Sequence, residues 1–223
     1  MLFRSEVPNF LTKIHLLEHL LGQNEEFSRV LIFTRSKENA DNVYKFLLRK
    51  VVDEEAIRVI HANKGQNTRI NAMEAFKEGN VRVLVATDVA SRGIDVTEVS
   101  HVVNFDVPLI YEDYVHRIGR TGRANRTGKA ITFLTPPEEV HIRNIEGLIR
   151  MEIPRLQVPA EIEIMSTPFD ERQSQLREID EQKRRADPTF QGAFHEKKKR
   201  PHMSSAARRD PRKKAAAKRR TRR

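Results

Sequence analysis

The eight residues His116-Arg117-Ile118-Gly119-Arg120-Thr121-Gly122-Arg123 set three arginines, two glycines and a threonine in one short stretch. A guanidinium keeps its charge at any physiological pH and presents paired donors that match phosphate oxygens two at a time, so this cluster points to phosphate chemistry. Glycine lets the backbone turn tightly and approach a ligand closely. Charge runs are usually solvated surface. A purely solvated loop, however, has no need of a glycine ahead of both Arg120 and Arg123.

Such a loop needs a scaffold, and the chain supplies strands alternating with helices. Residues 30–33, 57–61, 81–86, 101–105 and 130–134 are short runs rich in β-branched side chains and read as five buried strands. Between them lie helical stripes. Leu11, Ile14, Leu17 and Leu21 share one face, and Gly22 can end that helix. Ser36 can cap a second helix carrying Ala40, Val43 and Leu47. Ile70, Met73 and Phe76 line a third that stops at Gly79. Thr135-Pro136-Pro137-Glu138 has capping-box spacing for a last helix with Ile142, Ile145 and Ile149. This alternation predicts an α/β fold, a parallel sheet sandwiched by helices. Ligands of open α/β sheets bind beyond the carboxyl ends of the strands. The unusual polar segments fall there: Thr34-Arg35-Ser36-Lys37, residues 61–69, and Thr87-Asp88-Val89-Ala90-Ser91-Arg92-Gly93-Ile94-Asp95.

Charge divides the 223 residues. The formal net charge is +10, but residues 191–223 hold fourteen Lys/Arg against Glu196 and Asp210, a net of +12, which leaves −2 on the rest. Without cysteine, disulfides and thiolate metal sites are excluded. No apolar run reaches the length of a membrane span and the opening residues do not form a secretory signal, so no membrane partner is expected. A bacterial-type cytoplasmic location suits the body. The tail by itself would also suit a nuclear or nucleolar home.

The loops carry a family likeness. Leu31-Ile32-Phe33-Thr34-Arg35-Ser36 resembles motif IV of DEAD-box ATP-dependent RNA helicases, in helicase superfamily 2. Gln66-Asn67-Thr68-Arg69 matches the Q-x-x-R of motif IVa, residues 86–95 are close to motif V, and residues 116–123 read as motif VI. Over about residues 7–151 the chain is similar to the second RecA-like domain of that family. His61-Ala62-Asn63-Lys64 is most like the bacterial RhlE-type branch.

The resemblance implies roles. Arg120 and Arg123 contact the phosphates of ATP, Arg123 as an arginine finger, an element worth ~10³–10⁵ in rate. Asp95, with Gly93 beside it, accepts from the nucleotide ribose. His116 and Arg117 tie motif VI to the other domain and to motif V, and Phe33 packs on a motif VI arginine. Thr34, Arg69 and Thr87 grip the RNA backbone, a contact that carries no base code. Asp88 and Arg92 are expected to pair with other motif residues, whereas Arg35 and Lys64 could add phosphate contacts but are indistinguishable from solvated charge.

Other parts of the family pattern are missing. The one Gly-Lys, Gly128-Lys129, lacks the spacing, hydroxyl and helix of a P-loop. Asp53-Glu54-Glu55-Ala56 precedes a strand and reads as an acidic loop. ATP with Mg²⁺ is therefore expected mainly on a first RecA-like domain, the implied partner besides RNA, and the isolated chain is expected to be inactive. The chain opens about where the family's interdomain linker hands over to its second domain, as a fragment or truncated reading frame would. Three divisions are expected: a helicase C-terminal domain over residues 1–152, an extended and charged linker over 153–190, and a polybasic, disordered tail over 191–223. Lys197, Lys198, Lys199 and Arg200 head that tail as an RNA tether bound by counterion release. Two functions stay open: the motor half of an RNA helicase, and a non-catalytic RNA-binding or RNA-annealing module with a RecA-like fold.

Overall fold

The computed structural model describes residues 1–22, 26–91, 99–121 and 128–192. Its elements are β1 (Leu2–Glu6), α1 (Phe10–Gly22), β2 (Val30–Thr34), α2 (Lys37–Lys50), β3 (Ile57–Ile60), α3 (Gln66–Lys77), β4 (Val83–Thr87), α4 (Asp88–Ser91), β5 (His101–Asn104), α5 (Tyr111–Ile118), β6 (Lys129–Leu134), α6 (Glu139–Ile149) and α7 (Phe169–Ala186). All six strands are parallel, in the order β1-β6-β5-β2-β4-β3. The expected α/β architecture is therefore present.

Strand side chains alternate between the two faces, and both faces are covered. Val30, Ile32, Val83, Val85, Val103 and Phe133 pack with Ile14, Leu17, Leu21, Ala40, Val43 and Leu47 of α1 and α2. Their neighbours Leu31, Phe33, Leu84, Ala86 and Val102 pack with Ala72 and Phe76 of α3. Tyr114, Ile142, Ile145 and Ile153 form a third cluster under α5 and α6.

Local signals were good guides to the helix ends. The Ser36 side chain accepts from Asn39 N–H at 3.0 Å, and Thr135 and Glu138 form the capping box around a 3₁₀ turn ahead of α6. Gly79, just past α3, has φ +86°, a conformation that costs other residues strain. Two helix stripes differ from expectation at their first position, the rest of each facing the core. Leu11 is 37% exposed and Ile70 41%, while Leu16 and Ala72 point inward instead.

The sheet has one strand more than the five expected. In β1, Arg4 and Ser5 interrupt the apolar run, yet both are buried. Arg4 meets Glu146 at 3.4 Å, and its backbone is covered by the chain beyond α6, with Arg4 N–H donating to Pro154 O at 2.9 Å and Leu156 N–H to Arg4 O at 2.7 Å. The charged segment expected as part of a linker contains α7, and it returns to the body as well. Phe10 N–H donates to Glu171 Oε1 at 2.8 Å, Gln175 Nε2 to Pro8 O at 2.9 Å, and Gln182 Nε2 to Pro137 O at 2.8 Å. Polar bonds at spaced positions, more than apolar burial, dock this helix.

Candidate functional site

Three of the singled-out loops leave neighbouring strands. Thr34 ends β2 and Thr87 ends β4, and the two are register partners. Thr34 is buried and its hydroxyl donates to Ser36 O at 3.1 Å. Arg69, in the first turn of α3 after β3, is half-buried. Its Nη1 donates to Gln66 Oε1 at 3.2 Å and its Nη2 to Ala90 O at 3.4 Å, tying the α3 start to α4. Thr34, Thr87 and Arg69 thus belong to one edge of β2-β4-β3.

Arg117 is the buried pivot of the arginine-rich segment, 2% exposed. Its Nε and Nη2 donate to the two Asp88 carboxylate oxygens at 2.6 and 2.7 Å, a bidentate pair directly beyond Thr87. Its Nη1 donates to Asp106 O at 2.7 Å and Asn104 Oδ1 at 3.2 Å. The guanidinium also lies 5.0 Å from the centre of the Phe33 ring. Four of its five N–H donors are thus bonded within the protein, which makes Arg117 a structural anchor. His116, one residue earlier on α5, is exposed. Arg120 follows the helix half-buried, its N–H bonded to Arg117 O at 3.1 Å, and Thr121 is fastened through its hydroxyl to Val99 O at 2.8 Å. Arg92, Gly93, Asp95, Arg123 and the tail residues Lys197, Lys198, Lys199 and Arg200 lie outside the described residues.

A second charged cluster, unforeseen from the sequence, lies beyond β2, β5 and β6. Lys13 is buried on α1, with Nζ 2.9 Å from Glu138 Oε2, 3.3 Å from Asp106 Oδ1 and 2.7 Å from Phe105 O. Glu138 also accepts from Arg35 Nη2 at 2.8 Å, Thr135 N–H at 2.9 Å, Thr135 Oγ1 at 2.7 Å and Val107 N–H at 3.0 Å. Burial alone would raise the Glu138 carboxyl, but Lys13, the Thr135 bond and Arg35 outweigh it and hold the group down to about 2. Burial likewise opposes the Lys13 ammonium, and the Glu138 and Asp106 charges more than offset it. Arg35, read from sequence as solvated, bridges Glu138 and, at 3.5 Å, Glu178 of α7. Lys64 pairs with Asp41 at 3.3 Å. The only hint of this cluster was polar Asn104 and Asp106 interrupting Val103-Asn104-Phe105-Asp106-Val107.

The chain is similar to known proteins in this same region. The family described as "Helicase conserved C-terminal domain" matches residues 12–125, just over half of the chain, and the chain belongs to it. More narrowly, it is the C-terminal, RecA-like domain of a DEAD-box helicase of superfamily 2. It is 41% identical over 170 residues to the pre-mRNA-processing ATP-dependent RNA helicase PRP5 of Mycosarcoma maydis, covering 75% of this chain and 14% of that protein. Among solved structures it is similar to the Escherichia coli DEAD-box protein SrmB bound to regulator of ribonuclease activity A. That match has TM-score 0.65 and 34% identity, and covers 74% of this chain and 94% of that one. Saccharomyces cerevisiae Dbp5 L327V bound to RNA and ADP BeF3 superposes with TM-score 0.62 at 29% identity, covering 70% of this chain and 41% of that one. The chain spans about a third or less of the curated relatives it matches.

Proposed function

We propose that this chain supplies the second half of an RNA-dependent ATPase, working with a first RecA-like domain that holds most of the nucleotide. The observation that carries the reading is Arg117. Pinned by Asp88, Asn104, the Asp106 carbonyl and Phe33, it fixes the end of α5 from which Arg120 and Arg123 issue. The donors available here are guanidiniums and hydroxyls, which suit phosphate and ribose oxygens. ATP with Mg²⁺, when bound, supplies the phosphoryl group and a cation that neutralises its charge.

Arg120 contacts phosphate oxygens. Arg123 serves as the arginine finger that would stabilise charge building on a transferring phosphoryl group, and Asp95, with Gly93 beside it, would accept from a ribose hydroxyl. Thr87 donates to an RNA backbone, as does Thr34 once its hydroxyl leaves Ser36 O, and Arg69 adds its charge, with no base reading. Exposed His116 faces the first domain. Residues 197–200 tether RNA from outside this track.

The test is phosphate release. The chain mixed with ATP and RNA alone is expected to release none. With the first RecA-like domain of a related helicase added, RNA-stimulated release is expected, and Arg123→Ala should lower it by ~10³ or more. An unchanged rate in Arg123→Ala refutes the finger assignment. The absence of a P-loop from this sequence favours a second reading, a non-catalytic RNA-annealing module. Strand annealing by the chain alone, with no hydrolysis after the first domain is added, would establish that reading in its place.

A further inference from the structure

Arg117 is gripped from two sides, and the two grips lead to different places. Asp88 follows Thr87 at the end of β4. Asp106 lies just past β5, 6% exposed, and its carbonyl accepts from Arg117 Nη1 at 2.7 Å. The same residue turns its carboxylate the other way. Asp106 Oδ2 accepts from the backbone N–H of Arg35 at 2.9 Å and from Asn39 Nδ2 at 2.9 Å. Its Oδ1 is held by Lys13 at 3.3 Å, and the next residue donates Val107 N–H to Glu138 at 3.0 Å. One buried residue thus touches the loop after Thr34 with its side chain and the arginine-rich helix with its main chain.

We propose that Asp106 is a positioning residue that couples the Thr34–Ser36 loop to Arg117, so that a phosphodiester backbone held on that loop alters how Arg117, and the loop that follows it, is held. The coupling rests on the reading of Thr34 as an RNA contact. Its physical basis is that Asp106 is shielded from water. If the Arg35 amide shifts, the carboxylate must follow or leave a buried donor unpaired, which is the costlier outcome. Lys13 and Glu138 restrain the residue on its far side, so displacement passes along the main chain to the carbonyl that Arg117 holds. Asn39 adds a half-exposed handle from α2. Arg117 accordingly senses both threonine-bearing strands, β4 through Asp88 and β2 through Asp106.

The test is NMR of the full ¹⁵N-labelled chain titrated with a short single-stranded oligouridylate. The signals read are the backbone amides of Arg35 and Ser36 and the Nε–Hε resonance of Arg117, which reports its bond to Asp88. In the wild-type chain both sets are expected to move. In Asp106→Asn, an isosteric change that removes the charge and turns one of the two acceptor oxygens into a donor facing the Arg35 amide, Asn39 or Lys13, the loop amides should still move while the Arg117 response shrinks about fivefold. An Arg117 response as large as in the wild type overturns the coupling. So does a wild-type titration in which the loop moves and Arg117 does not. If no loop amide moves in the wild type, the RNA-contact reading fails first, and that result is distinct from either. Should Asp106→Asn unfold, Asn39→Ala carries the same test: a reduced Arg117 response supports the coupling and an unchanged one overturns it.

Discussion

At the scale of single residues, the charged groups that matter most are those water does not reach. Glu138 has its carboxyl held down to about 2, and its ordinary value is 4.5. A group depressed in the folded state stabilises it above the unfolded value and loses that contribution as pH falls through the folded one. The Glu138 contribution is therefore lost between about 4.5 and 2. His101 works in a higher window. Its ring stacks on Phe27 with centroids 3.9 Å apart, and burial pushes it from 6.5 down to about 4. Protonation then favours the unfolded chain, so stability declines from pH 6.5 downward and this contribution is gone below about 4. Urea unfolding followed across that range should show the midpoint falling. His101→Gln should flatten the decline between pH 6.5 and 4 while leaving the more acidic fall intact.

At the scale of elements, what could be read from the sequence and what could not divide along physical lines. The five expected strand runs and the caps at Ser36 and Thr135 were legible, because β-branched runs and capping residues act locally. β1 was not. Its Arg4 is held by Glu146 of α6 and by backbone bonds to Pro154 and Leu156 from the far end of the chain, and no local pattern encodes that. The docking of α7 was illegible for the same reason: its partners Pro8, Phe10 and Pro137 are remote in sequence. In the site, Arg117, Asp88 and Phe33 were visible through the family likeness, whereas Lys13 and Glu138 looked like ordinary helix and cap residues. Each α7 docking bond is worth about 1 kcal/mol net, somewhat more for the Glu171 carboxylate. Replacing both Glu171 and Gln175 by Ala should speed hydrogen exchange of α7 amides by roughly tenfold or more, leaving β2 and β4 protected. Equal protection in the variant would mean that the helix is held by other contacts.

At the scale of the whole molecule, charge and fold are separate inheritances. The folded region is near neutral while residues 191–223 carry the excess positive charge. RNA affinity should therefore depend on salt mainly through the tail. Changing Lys197, Lys198, Lys199 and Arg200 together to Ser should make the slope of log affinity against log salt shallower by up to about 3, at ~0.7 per phosphate contact on a single strand. An unchanged slope would remove those four residues from the RNA interface. The covering of β1 has a separate consequence. An open sheet invites a neighbouring chain to add a strand at its rim, a common route to aggregation. Here Pro154 and Leu156 take both backbone bonds of Arg4 at the centre of β1, Arg155 places a charge outside them, and the opposite rim is the four-residue β3, which carries Arg58. The returning chain that covers the Arg4 backbone thereby guards the protein against polymerising through its own sheet.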